Sequence, residues 1–179
     1  MSDPLVLGVV GWSGSGKTML LKKVLPLLLA RGLRIATLKH AHHDFDTDLP
    51  GKDSWEHRRA GAQEVIVCSS RRWVQMHELR DEPEPSLAQL LRRVSACDLI
   101  LVEGYKRERH PKLEVYRPAV GKPPLYLQDA RVLAVATDAP LTGMHPPAVE
   151  LNDSEAVVAR ILDCAASLPR VLAALEADA

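Results

Sequence analysis

The chain predicts an α/β fold, a mainly parallel sheet flanked by helices, with a β-hairpin extension. Three observations carry this reading. Leu5-Val6-Leu7-Gly8-Val9-Val10 is a continuous apolar run, the pattern of a strand buried on both faces of a parallel sheet. After a glycine-rich turn, Lys17 to Arg31 carries Leu20, Leu21, Val24, Leu25, Leu28 and Leu29 at helical spacing. Leu33 to Lys39 then reads as a second strand, and a strand–helix–strand unit implies a right-handed crossover between parallel strands.

The remaining elements follow in order. Gly32 stands where the first helix needs a C-terminal cap, and Pro26 should kink that helix by removing a donor and crowding the Lys22 carbonyl. His40 to Pro50 is a polar loop rich in His and Asp. Lys52 to Ala62 reads as a short helix closed near Gly61. Glu64 to Ser69 and Arg72 to Leu79, joined by a tight polar turn, form the hairpin. Beyond the acidic, proline-bearing stretch Arg80 to Pro85, Ser86 caps a helix running to about Ser95. Asp98 to Glu103, Lys112 to Arg117 and Val132 to Thr137 are further strands. Asn152 is expected to cap a last helix that runs to about Leu168 and stops at Pro169, with Val171 to Ala179 adding a frayed turn.

Composition narrows the function. The 179 residues suffice for one domain burying about 70% of its unfolded surface, so residues 1–179 are expected to form a single domain. Lys plus Arg number 23 and Asp plus Glu 23; without a basic excess the chain is not expected to bind nucleic acid. Aromatic residues at 4% leave too few rings for a base-stacking platform. No apolar stretch approaches the roughly 20 residues of a membrane span, so no membrane association is expected. Cys68, Cys97 and Cys164 are far apart with no metal-type pairing. They read as buried or half-buried free thiols, which places the protein in the reducing cytoplasm.

Gly11-Trp12-Ser13-Gly14-Ser15-Gly16-Lys17-Thr18 fits G-x-x-x-x-G-K-[ST], between an apolar strand and an amphipathic helix. The glycines let successive N–H groups turn into one cavity, and the helix N-terminus adds positive potential for phosphates. Lys17 is expected to reach the β- and γ-phosphates and the Thr18 hydroxyl to ligate Mg²⁺. The fold is therefore P-loop NTPase-like, a single P-loop nucleotide-binding domain. Asp98-Leu99-Ile100-Leu101-Val102-Glu103-Gly104 carries an acid at each end of a strand. Ligands sit at the carboxyl ends of parallel strands, and at about 3.3 Å per residue Asp98 lies roughly 16 Å from Glu103. Glu103 is therefore the expected catalytic and metal-ligating acid, and Asp98 a solvated residue at the far edge.

The segment from Lys39-His40-Ala41-His42-His43-Asp44-Phe45-Asp46-Thr47-Asp48 through Trp55-Glu56-His57-Arg58-Arg59-Ala60-Gly61-Ala62 resembles the signature of molybdopterin-guanine dinucleotide biosynthesis protein B. Leu101-Val102-Glu103-Gly104-Tyr105-Lys106 and Pro111-Lys112-Leu113-Glu114-Val115 are also similar to that family. The resemblance spans roughly Val6 to Arg117. It implies a GTP-binding accessory protein, often dimeric and here expected to be a homodimer, with at most weak GTP hydrolysis. Such a protein assists the guanylyltransferase that joins GMP to molybdopterin.

Beside this stands the reading of the residues themselves. His40, His42, His43, Asp44, Asp46 and Asp48 read as a polar loop near the phosphates, with one Asp, Asp48 the candidate, contacting Mg²⁺ through water; a dedicated transition-metal site is the alternative. Lys52 and Arg59, seven apart on a helix, share a face that suits an anionic substrate or plain solvation. Tyr105 to Lys112 is a basic loop beside the phosphate site, with Lys106 placed to cover a γ-phosphate or receive the phosphate of molybdopterin. No N-K-x-D element occurs. Asp138, after the strand Val132 to Thr137, is the candidate acceptor for guanine N1 and N2, and the preference for GTP otherwise rests on the resemblance. Trp73, Val74 and Met76 of the hairpin offer an edge for dimerisation and for docking on the guanylyltransferase. The alternative function is a P-loop small-molecule kinase.

Overall fold

The computed structural model describes residues 3–41, 45–143 and 145–177. Its centre is β1 (Leu5–Val10), whose last five residues are all buried. Around it the sheet also contains β2 (Ile35–Lys39), β5 (Leu99–Glu103), β6 (Lys112–Tyr116), β7 (Val132–Thr137) and β8 (Ala148–Glu150), in the order β2-β5-β1-β6-β7-β8. All these pairings are parallel. The expected mainly parallel sheet is what forms. The first crossover, however, does not pair β1 with β2: β5 lies between them, aligning Leu5 with Leu99 and Ile35 with Leu99. The apolar run of β5 is long enough to be buried on both faces, and that is the property an inserted strand needs.

The two faces follow the two-residue period of the strands. Leu7 and Val9 join Leu99, Leu101, Leu113 and Val115 against α1 (Lys17–Ala30) and α4 (Ser154–Cys164). Val6, Ile100 and Val102 point the other way, onto α3 (Leu87–Arg93) and α5 (Leu168–Glu176). Helix α1 runs unbroken through Pro26 to Ala30, and the chain turns away at Gly32, whose φ of 79° is the left-handed turn expected there.

The C-terminal reading needs correction. Asp153, not Asn152, caps α4, its side chain accepting from Ala156 N at 3.0 Å. Asn152 instead bonds Glu150. The helix stops at Cys164, and Ala166–Ser167 form β9, pairing antiparallel with Leu5 and Val6. Pro169 lies in the first turn of α5 rather than after a last helix, where its missing N–H costs nothing. The supposed frayed turn is thus a true helix, anchored by buried Val171.

The chain divides into two compact units, residues 41–86 and the remainder. The smaller unit contains α2 (Asp53–Arg59) and the hairpin β3 (Glu64–Cys68) with β4 (Trp73–His77), a two-stranded sheet of its own. Ile66, Val67, Trp73 and Val74 are exposed on it, whereas Met76 is half-buried. Cys68 is exposed too, unlike the buried Cys97. Among the described residues no helix is long and apolar enough to cross a membrane.

Candidate functional site

β1 delivers the loop Gly11 to Gly16 at its carboxyl end. Gly11, Gly14 and Gly16 take φ of 148°, 81° and 96°, backbone that other residues adopt only under strain. Gly11 is also sterically required, because a Cβ there would lie 2.5 Å from Val115 O and 2.6 Å from Ser15 Oγ. Ser13 and Gly14 form the exposed crown of the loop, and the buried Ser15 hydroxyl has no hydrogen-bond partner among the described residues. Gly16 caps α1 without a side chain, and no acid sits in the first helical turn. The N-terminal donors of α1 are therefore left to whatever occupies the loop.

Lys17 folds back, donating from Nζ to the carbonyl oxygens of Gly11 and Trp12, each at 3.0 Å. Burial holds its ammonium below its usual pKa. The Glu103 carboxylate opposes that shift, while Lys106 and Lys39 add to it. Thr18 Oγ1 donates to Glu103 Oε1 at 3.0 Å, and Lys39 Nζ stands 3.8 Å from the same oxygen. The loop hydroxyl and the strand-end acid, 85 residues apart, thus meet as the strand polarity required. Asp98 lies at the opposite end of β5. It is not merely solvated: Arg34 grips it through Nε, Nη2 and its backbone N–H, at 3.1, 2.9 and 2.8 Å. That fork holds the Asp98 carboxyl at about 2.

After Glu103 the chain reverses through Gly104 and Tyr105, with φ of 99° and 50°. The reversal packs Tyr105 on the His40 ring at 4.7 Å. It also brings Lys106 Nζ to 4.6 Å from the centre of the Trp12 ring, a cation–π contact. Trp12 in turn donates from Nε1 to Pro123 O at 2.7 Å. Lys106 therefore lies against Trp12 of the phosphate loop. Lys112, in contrast, is no part of a basic loop. It is fully buried at the start of β6 and donates to Asp129 at 2.7 Å. Glu114 is buried as well, accepting from the backbone of Leu125 and Tyr126 at 2.8 and 3.0 Å; burial raises its pKa. Asp138 follows β7, with Oδ2 3.4 Å from Arg117 Nε. Arg117 itself was not singled out from the sequence. Its available signal was its place directly after a strand whose carboxyl end faces the loop.

Within the smaller unit, Asp48 is engaged by Ser54 Oγ at 2.9 Å and Arg58 Nε at 3.3 Å. Arg58 also binds Asp46 and Glu78. Lys52 and Arg59 have different neighbours. Arg59 lies 5.0 Å over the Trp55 ring, and Lys52 lines a cleft of about 580 Å³ with Asp48, His57, Ile66 and Cys68. His42, His43 and Asp44 lie outside the described residues. Among the described residues no three His, Cys, Asp or Glu side chains gather as metal ligands.

Comparison with known proteins adds the family context. The family described as Molybdopterin guanine dinucleotide synthesis protein B matches residues 6–138. The Escherichia coli K12 molybdopterin-guanine dinucleotide biosynthesis adapter protein is 47% identical over 153 residues, covering 84% of this chain and 87% of that protein. The Haemophilus influenzae protein of the same description is 46% identical, covering 76% of each chain. A crystal structure of molybdopterin-guanine biosynthesis protein B aligns with a TM-score of 0.69 at 28% identity, over 89% of this chain and 97% of that one.

Proposed function

The chain belongs to the molybdopterin guanine dinucleotide synthesis protein B family, and from that premise we propose that it is a GTP-binding adapter in molybdenum cofactor maturation. In this reading it assists the guanylyltransferase that makes molybdopterin guanine dinucleotide and hydrolyses GTP weakly at most. The observation that carries the proposal is the 3.0 Å bond between Thr18 Oγ1 and Glu103 Oε1. It joins the loop hydroxyl to an acid at a strand end, the pair a P-loop protein uses to hold Mg²⁺ against two phosphates.

Each residue has a part in the proposal. The backbone N–H groups from Gly11 to Thr18 cradle the phosphates. Lys17 leaves the loop carbonyls for the β- and γ-phosphates, and Lys106 leaves the Trp12 ring for the terminal phosphate or for that of molybdopterin. Thr18 and Glu103 would hold Mg²⁺, and Glu103 would orient the attacking water. Asp48 would have to release Arg58 and Ser54 to serve a metal. Asp138 accepts the guanine edge. The exposed Ile66, Val67, Trp73 and Val74 support a homodimer through the hairpin, working in the cytoplasm.

The test is a binding panel of GTP and ATP with Mg²⁺, followed by reconstitution of guanylyltransferase output with and without the protein. GTP preference with raised cofactor output is the expected result. ATP preference, or phosphate transfer to a small acceptor, would replace the proposal with the kinase reading.

A further inference from the structure

Two sides of the phosphate loop are chemically different. The loop leaves the end of β1, with β5 and β2 on one side and β6 and β7 on the other. Glu103, bonded to Thr18, stands on the β5 side. A triphosphate whose metal-bound end lies there must send its nucleoside over the ends of β6 and β7.

Two charged residues occupy those ends. Tyr116 and Thr137 are register partners, so Arg117 and Asp138 emerge side by side. Their Nε and Oδ2 are 3.4 Å apart, with the side chains 38% and 32% exposed. Arg117 Nε, Cζ and Nη2 each lie 3.7 Å from the point a Cβ on Gly16 would occupy. Three equal distances mean that the guanidinium lays its flat face on the loop where α1 begins. Arg117 Nε is buried yet makes no hydrogen bond among the described residues. The turn carrying Asp138 is fixed as well, by Ala139 N donating to Thr137 Oγ1 at 3.3 Å. A cation resting at the N-terminus of a helix is unfavourable by itself, so the Asp138 carboxylate is what holds Arg117 there.

We propose that Arg117 is a specificity-determining positioning residue, holding the Asp138 carboxylate in place to accept N1–H and N2–H from a guanine base. The inference rests on the GTP reading above and adds the means of base choice that the absent N-K-x-D element would otherwise supply. Guanine presents two donors to a carboxylate; adenine presents an acceptor at N1 and has no 2-amino group, so the same carboxylate repels it. Arg117 keeps Asp138 aimed through their 3.4 Å ion pair, and its flat face offers a surface on which a purine can lie.

The experiment measures affinities of wild type, Arg117→Ala, Asp138→Asn and the double variant for GTP, ATP, XTP and inorganic triphosphate. The ratio of GTP to ATP affinity is the readout, because a lost positive charge near the phosphates weakens both nucleotides alike. Arg117→Ala should lower that ratio about tenfold or more, the worth of a hydrogen bond to a charged group. Asp138→Asn should exchange GTP preference for XTP, since an amide donates where the carboxylate accepts. In the Asp138→Asn background, Arg117→Ala should leave the ratio unmoved. Equal loss of GTP, ATP and triphosphate in Arg117→Ala would overturn the proposal and leave Arg117 a phosphate contact. An unchanged ratio in a GTP-preferring protein would overturn it while sparing the GTP reading. A wild type indifferent to the base would overturn both.

Discussion

Gly8→Ala is expected to destabilise the strand that carries the phosphate loop. A Cβ at Gly8 would lie 2.3 Å from His110 Nε2, 2.7 Å from His110 Cδ2 and 3.2 Å from Lys112 Cγ. His110 is 1% exposed and Lys112 fully buried, the latter tied to Asp129 at 2.7 Å. Neither neighbour can swing into water to make room. Forcing an extra methyl into such packing costs about 1–3 kcal/mol, and in a chain of this length each kcal/mol moves Tm by roughly 2–4 °C. The expected fall is therefore on the order of 2–12 °C in thermal unfolding followed by circular dichroism. The cause can be isolated, because His110→Ala removes the obstructing ring together with two ring nitrogens that have no hydrogen-bond partner among the described residues. The double variant should then be more stable than the sum of the single effects by about 0.5–3 kcal/mol, the range for residues in contact. An unchanged Tm for Gly8→Ala, or strict additivity in the double variant, would refute the packing argument.

Other expectations concern the site and its pH response. Lys17→Ala should lose GTP affinity by about 10–100-fold, the worth of a charge-assisted bond, with an unaltered circular dichroism spectrum; titration calorimetry measures it. Glu103→Gln should slow Mg²⁺-dependent phosphate release more than it weakens binding, whereas Asp98→Asn, whose Arg34 fork lies at the other strand end, should leave release unchanged and only lower Tm. Burial with Lys112 alongside pushes His110 down to about 3. The unfolded chain therefore binds a proton below about pH 6.5 that the folded one refuses. Stability is intact above that pH and is lost as pH falls from about 6.5 toward 3, at up to about 1.4 kcal/mol per pH unit. Denaturant titrations across that window should show this slope in wild type and a flatter one in His110→Phe.

The parts of the fold that were legible are those whose physics is local. Val132–Thr137 and Leu5–Val10 end where their apolar runs end. Gly11 to Thr18 was legible because its glycines and its Lys-Thr pair serve one geometry. Sheet order was not, because nothing in the run Leu99–Glu103 says that it lies between β1 and β2. Asn152 and Asp153 have almost equal capping tendency; the backbone bond from Leu151 N to Thr137 O at 2.8 Å fixes the chain just before them, and Asp153 takes the cap. Lys112 reads as the end of a basic loop, and Glu114 only as part of a family motif. Their burial depends on Asp129 and on the backbone of Leu125 and Tyr126, partners at a distance that no local pattern reveals. The Arg117–Asp138 pair was missed for the same reason, since it exists only once β6 and β7 are neighbours.

On the proposed reading, the electrostatics around the phosphate loop favour holding a nucleotide over breaking one. Each nearby cation has a weak local partner. Lys17 rests on two carbonyl oxygens, Lys106 on the Trp12 ring and Arg117 on the loop backbone beside Asp138, while Lys39 stands 3.8 Å from Glu103. Around them the α1 terminus carries no acid in its first turn and no capping side chain. Uncompensated positive potential there favours a multiply charged anion, which relieves the mutual repulsion of these cations as it binds. Transition-state stabilisation asks for more than this. It needs a guanidinium aimed at the terminal phosphate, and such an arginine is worth about 10³–10⁵ in rate. On the proposed placement Arg117 serves the nucleoside side, and Arg107 and Arg109 are exposed on the loop after β5. In that reading the terminal phosphate meets Lys17 and Lys106 with no guanidinium aimed at it, which is why hydrolysis is expected to be weak at most.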